Sequence, residues 1–147
     1  MTIYRLSPPT IARGRKGRAG EMMEIIRRDD AQPFITKDGS TIRELLAHRN
    51  SCIRNQSLAE ATVPAGVKTQ AHYHPHTEEI YYVLSGSGVM HLAGETRNVQ
   101  SGDAIAIPIG QIHWIENLAD CDLVFLCCCA PGYEHHDTVI ECEHGIT

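Results

Sequence analysis

From Asn55 onward the chain is cut into short apolar runs, and nothing else in the sequence constrains the fold as strongly. The runs are SLAEATV, EEIYYVL, GVMHLAG, AIAIP, HWIEN and DLVFLCCCA. Between them lie VPAG, HPHT, SGSG, AGET, QSGD, PIGQ and NLAD, where Gly, Pro, Asn and Asp set turns. Many short strand-like segments at close spacing predict an all-β sandwich or barrel. No internal repeat and no low-complexity segment interrupts the series.

The first part of the chain has a different texture. Residues 1–20 read as an arm, with Arg13, Arg15, Lys16 and Arg18 set among glycines. The arm suits a solvated or subunit-crossing role, and phosphate contact is the alternative. No aromatic side chain is interleaved with these charges to stack on bases. Glu21–Arg28, EMMEIIRR, reads as a short helix or a strand. A second short helix is expected over Thr41–His48, where Ile42, Leu45 and Leu46 fall at helical spacing after the Asp38-Gly39 turn. The polar tail after Pro131, with His135, His136 and His144, is expected to wrap the surface.

Composition narrows the function classes. A chain of 147 residues is the size of one domain, and can bury a core without staples. The net charge of -5 argues against nucleic acid as the main partner. No apolar run reaches the length of a membrane span, and the N-terminus lacks an apolar signal core, so a cytoplasmic location is expected. The six cysteines are not spaced as a disulfide scaffold, and the consecutive Cys127, Cys128 and Cys129 cannot bridge one another in ordinary geometry. Reduced thiols fit better.

Chemistry gathers in HYHPHTEEIYYVLSG, residues 72–86. A strand points alternate side chains to one face, so an extended segment projects His72 and His74 together. Pro75 cannot donate to a ladder and ends that strand. Either Glu78 or Glu79 then returns beside the two histidines, and His113 opens a later strand. Neutral imidazoles with one carboxylate suit divalent first-row metals and leave positions open for a substrate.

These residues carry a resemblance. GVKTQAHYHPHTEEIYYVLSG resembles the first motif of the cupin superfamily, G(X)5HXH(X)3-4E(X)6G, with Gly66, His72, His74, Glu79 and Gly86 at the fixed positions. GDAIAIPIGQIHWIEN resembles the second, G(X)5PXG(X)2H(X)3N, with Gly102, Pro108, Gly110, His113 and Asn117. Only fifteen residues separate the two, which is similar to compact single-domain cupins of the conserved-barrel type.

The resemblance implies a single jelly-roll barrel, the double-stranded β-helix, conserved over about 55–130. It implies one divalent transition metal per chain (Fe, Mn, Ni, Co, Cu or Zn) on His72, His74, Glu79 and His113. His76 and Glu78 are left as bystanders. Strand alternation adds pocket-lining candidates: Lys68 and Gln70 with the histidine pair, Tyr81 and Val83 with Glu79, and Gln111 and Ile115 with His113. The closing strand contributes Phe125 and Cys127. Trp114 is expected to point out of the barrel, and Asn117 to fix a turn.

Such cupins imply a metal-dependent enzyme acting on a small molecule. Oxygen-dependent or related redox chemistry is favoured, since the candidate walls are mostly apolar and aromatic. A sugar or sugar-phosphate isomerase is the alternative and needs basic groups, for which Lys68 is the candidate. A non-catalytic metal-bearing binder is the third reading. Exposed edge strands and the arm suit a homodimer.

Overall fold

The structure is a computed structural model that describes residues 23–142. The arm expected over residues 1–20, the first two residues of EMMEIIRR and His144 lie outside the described residues. The described strands, in chain order, are β1 (Phe34–Ile35), β2 (Thr41–Leu46), β3 (Ser57–Val63), β4 (His72–Tyr73), β5 (Glu78–Ser85) and β6 (Ser87–Leu92). They continue with β7 (Glu95–Gln100), β8 (Ala104–Ile107), β9 (His113–Glu116), β10 (Leu123–Ala130) and β11 (Val139–Ile140).

The strands pair antiparallel in two sheets, with orders β1-β2-β3-β10-β5-β8 and β11-β4-β9-β6-β7. The second half of the chain thus alternates between sheets, as a jelly roll requires, and the expected all-β architecture is present. The inner faces meet in one core that includes Val63, Val83, Met90, Ile115, Leu123 and Phe125. Each such side chain, fully withdrawn from water, contributes about 1.5–3 kcal/mol. β5 and β10 show why the sequence chooses this arrangement. Their exposure alternates residue by residue, with Glu79, Tyr81 and Val83 inward from one strand and Phe125, Cys127 and Cys129 from the other.

Three local expectations change. Thr41–Leu46 is the strand β2 and not a helix. Its apolar residues fit both periods, but β3 offers it a full ladder, from Thr41 opposite Thr62 to Leu46 opposite Leu58. Pairing decided what the short pattern left ambiguous. EMMEIIRR forms neither a helix nor a strand over its described residues, where one 3-10 turn begins at Arg28. β7 is not one of the apolar runs of the sequence: ETRNVQ is polar and exposed except at Val99, as an edge strand permits, and β6 recruits it through a hairpin.

The β5–β6 hairpin depends on two glycines. Gly86 has φ +82°, and a Cβ there would stand 2.5 Å from the backbone oxygen of Asp122. A Cβ at Gly88 would meet the Glu116 backbone oxygen at 2.8 Å. The hairpin therefore packs backbone against backbone at the end of β5 opposite to the one that holds Glu79.

Candidate metal centre

Two strands of the second sheet and one of the first deliver the site. His72 in β4 lies directly across from His113 in β9. His74 follows β4 by one residue, and Glu79 is the second residue of β5. All four are buried. One ligand atom from each of the three histidines lies within 4.8 Å of the other two. Glu79 Oε2 is 3.3 Å from His74 Nε2 and 3.4 Å from His113 Nε2. Glu78 points outward, as alternation requires.

The backbone fixes the imidazoles in one tautomer. His72 Nδ1 lies 2.8 Å from the Gln70 carbonyl oxygen, and His113 Nδ1 lies 2.9 Å from that of Gln111. His74 Nδ1 lies 3.2 Å from the carbonyl oxygen of Asp137. A carbonyl only accepts, so each Nδ1 carries the hydrogen, and a ring in its neutral form turns the bare lone pair of Nε2 away from the backbone. His113 Nε2 and Glu79 Oε2 are both buried without a hydrogen-bond partner. Leaving such groups orphaned costs about 1–3 kcal/mol each. A cation between them removes that cost, so the donor set fits a divalent metal.

Electrostatics agree with this picture. Burial pushes the Glu79 carboxyl up, but the facing His113 and His74 outweigh burial and bring it down to about 2. Burial lowers His74, and Glu79 more than reverses that shift. Burial, followed by the nearby His113, lowers His72. Cys129 Sγ–H donates to Glu79 Oε1 at 3.4 Å and turns the other carboxylate oxygen toward the histidines. Burial above all raises the Cys127 and Cys129 thiols, which stay protonated.

The centre opens into a cavity of about 50 Å³. Of the pocket residues read from the sequence, Tyr81, Phe125 and Cys127 line it. The Tyr81 and Phe125 rings pack 4.5 Å apart, centroid to centroid. Val83 and Ile115 do face inward, but each lies two residues deeper, where the core is filled. Lys68 and Gln70 are exposed because the segment is not one continuous strand. Thr69 is the buried residue, and its hydroxyl accepts from the Ile115 N–H, so the inward phase breaks before His72. Gln70 and Gln111 serve the site through their carbonyls, while their side chains lie outside the cavity.

The sequence reading missed a large part of the lining. β1, β2 and their turn supply Phe34, Thr36, Asp38, Ser40, Ile42 and Glu44. Ser57, Ala59 and Ala61 come from β3, and their alternation in SLAEATV was the available signal. Tyr133 and Thr138 come from the tail, which does more than wrap the surface. Asp137 Oδ2 accepts from the backbone N–H of Thr77 at 3.1 Å and of His76 at 3.3 Å. The exposed His76 ring donates to Asp137 Oδ1 at 2.7 Å, so His76 points away from the centre. Trp114 stacks on His91 outside the cavity, at 4.4 Å between ring centroids. Asn117 fixes a turn, donating to the Val63 and Cys121 carbonyls.

Comparisons with known proteins agree with the geometry. The sequence profile of the Cupin domain matches residues 59–129. An uncharacterized protein of Methanocaldococcus jannaschii is 50% identical over 120 residues, covering 80% of this chain and 96% of that one. The polyketide cyclase RemF from Streptomyces resistomycificus has a similar structure, with TM-score 0.70 and 28% identity, covering 83% of this chain and 89% of that one. The crystal structure of a predicted oxalate decarboxylase from Thermotoga maritima aligns with TM-score 0.65 and 28% identity, over 74% of this chain and 99% of that one. With both motifs, the two-sheet fold and these relatives in agreement, the chain belongs to the cupin family.

Proposed function

We propose that the protein is a divalent-metal-dependent enzyme acting on a small oxygen-bearing molecule, with oxygen-dependent or related redox chemistry as the reaction class. The observation that carries this reading is the orphaned pair, Glu79 Oε2 and His113 Nε2, beside a cavity that His72, His74 and Glu79 line. His72, His74, Glu79 and His113 would hold the metal, which supplies Lewis acidity and, for a redox-active ion, one-electron chemistry.

The chain's own residues define the rest. Phe34, Ile42 and Phe125 exclude water from one side of the cavity. Thr138 Oγ1 donates to the Tyr133 hydroxyl at 3.3 Å, which leaves the phenolic hydrogen free to donate. Burial, first among the causes, lifts that phenol to about 12, so it remains a donor at neutral pH. A bound oxygen-bearing molecule is thereby oriented between the histidines and Tyr133. The names of the relatives, a polyketide cyclase and a predicted oxalate decarboxylase, support small-molecule chemistry on this scaffold. The sugar-phosphate alternative loses support, because no lysine or arginine lines the cavity among the described residues.

The proposed partner is a second copy of the chain. Ile80, Tyr82 and Leu84 are 40–50% exposed and lie in a row on the outer face of β5. Among the described residues no helix is long and apolar enough to cross a membrane.

Metal analysis of the purified protein, followed by oxygen-uptake assays on small diketones, enols and catechols, tests the reading. About one divalent ion per chain and oxygen uptake with at least one of these classes are expected. Metal binding with no turnover of any class points instead to the non-catalytic binder. Absence of metal, even after titration, removes the basis of the proposal.

A further inference from the structure

The cavity lining carries a carboxylate with one oxygen that neither the fold nor the proposed centre uses. Asp38 sits in the turn between β1 and β2, is 8% exposed, and lines the cavity. Its Oδ1 is saturated. It accepts from Thr36 Oγ1 at 2.6 Å, Ser40 Oγ at 2.7 Å and the Ser40 backbone N–H at 3.1 Å. The Asp38 carbonyl accepts from the Gln70 backbone N–H at 2.7 Å, which fastens this turn to the segment bearing His72. No hydrogen bond or ion pair among the described residues reaches Oδ2. Lys37, the adjacent cation, donates to the Thr138 carbonyl instead, at 3.1 Å.

The other charges around the cavity sharpen the contrast. Glu44 also lines it, but Arg49 matches that charge with two hydrogen bonds. Glu79 belongs to the proposed metal centre. Asp38 is therefore a buried, oriented carboxylate with one oxygen uncommitted, in a cavity without a lysine or arginine in its lining. A buried charge is costly unless something pairs with it. The missing complement is a hydrogen-bond donor on whatever enters.

We propose that Asp38 selects the ligand, its Oδ2 accepting from a hydroxyl or N–H group of a molecule whose other end coordinates the metal. This inference rests on the metal-centre reading and adds the chemical class of the occupant: a small, oxygen-coordinating hydrogen-bond donor without a second negative charge. Dianions that lack a donor, such as oxalate, are disfavoured, because their outer carboxylate would face Asp38. The cavity thus departs from what the name of the Thermotoga maritima relative suggests.

The test uses the full chain loaded with Co(II), with cobalt visible absorption as the binding readout. Three probes are titrated at neutral pH: acetohydroxamic acid, which keeps an N–H donor when its oxygens coordinate, N-methylacetohydroxamic acid, and oxalate. The wild type is expected to bind acetohydroxamic acid at least about ten-fold tighter, the scale of one hydrogen bond to a charged group, than N-methylacetohydroxamic acid, which coordinates through the same oxygens but lacks the N–H. Asp38→Asn reverses the sign at the free position. The Ser40 N–H is an obligate donor, so the asparagine oxygen takes the Oδ1 place and its NH2 faces the cavity. The ratio of the acetohydroxamic acid and oxalate affinities should then move at least about ten-fold toward oxalate.

An unchanged ratio in Asp38→Asn overturns the role of Asp38 while leaving the metal centre standing. Equal binding of acetohydroxamic and N-methylacetohydroxamic acid by the wild type does the same, and decides the matter if the variant does not fold. Failure of the chain to take up Co(II) is a separate result that removes the centre and this inference together.

Discussion

Replacing His113 and His76 separately tests the centre most directly, because His113 groups with His72 and His74 whereas His76 does not. His113 has no exposed surface and its Nε2 is orphaned, whereas the His76 side chain is 83% exposed and bonded to Asp137. A metal that binds only the folded chain stabilises it by about 2.7 kcal/mol when free metal is 100 times Kd. Loss of outer partners of a ligand already weakens metal affinity about 10–100-fold, so loss of a ligand itself costs at least the upper figure. At the same free metal the stabilisation in His113→Ala falls to about 0.4 kcal/mol. For a chain of this length, with about 4 °C in Tm per kcal/mol, metal should raise the wild-type Tm by about 10 °C and that of His113→Ala by about 2 °C. His76→Ala should keep the full shift. Differential scanning calorimetry of chelator-treated protein with and without added metal gives all three values. Equal metal-induced shifts in the two variants would refute the ligand assignment, whatever their stabilities without metal.

Other parts of the fold make separate predictions. Gly86→Ala adds the cost of a left-handed backbone, about 1–2 kcal/mol, to a collision with the Asp122 carbonyl, for a total of about 2–4 kcal/mol. Gly102→Ala, at φ +94° with nothing within 4 Å of the added methyl, bears only the first cost. Equal losses in denaturant titrations would show that the close approach does not matter. Asp137→Ala leaves the buried Thr77 N–H without its acceptor and should destabilise the metal-free protein by about 2–4 kcal/mol. A loss below about 0.5 kcal/mol in the same titration would mean the loop does not depend on Asp137. Tyr82→Glu puts a charge in the outer apolar row of β5, so light scattering should find the wild type dimeric and the variant monomeric. A monomeric wild type would dispose of the proposed pairing.

What the sequence showed and what it concealed divide along the range of the interactions. His72 and His74 could be placed on one side because strand alternation is local, whereas the choice of Glu79 over Glu78 came from the resemblance to the cupin motif. The same rule failed at Lys68 and Gln70, since one break in extended backbone at Thr69 shifts the phase of everything before it. It put Val83 and Ile115 on the correct face but gave no depth, and depth alone separates cavity wall from core. β2 was misread because a six-residue run fits two periods, and the choice was made by a partner strand sixteen positions downstream, from Thr41 to Ser57.

The distant supports are the least legible of all, and the reason is physical. The carbonyl that fixes His74 belongs to Asp137, 63 positions away, and a carbonyl has no side-chain identity to read. Gln70 and Gln111 act through the same anonymous group, so any residue with an unstrained backbone could stand there. Asp38 is different, because its side chain does the work. Yet Asp-Gly is so strong a turn signal that local grammar explains the residue completely. Only the fold shows that this turn lines a cavity, that Thr36 and Ser40 saturate one oxygen, and that the other has no hydrogen-bond partner among the described residues. A residue whose local role is sufficient can hide a second role, and the second becomes visible only when its remaining hydrogen-bonding capacity is counted.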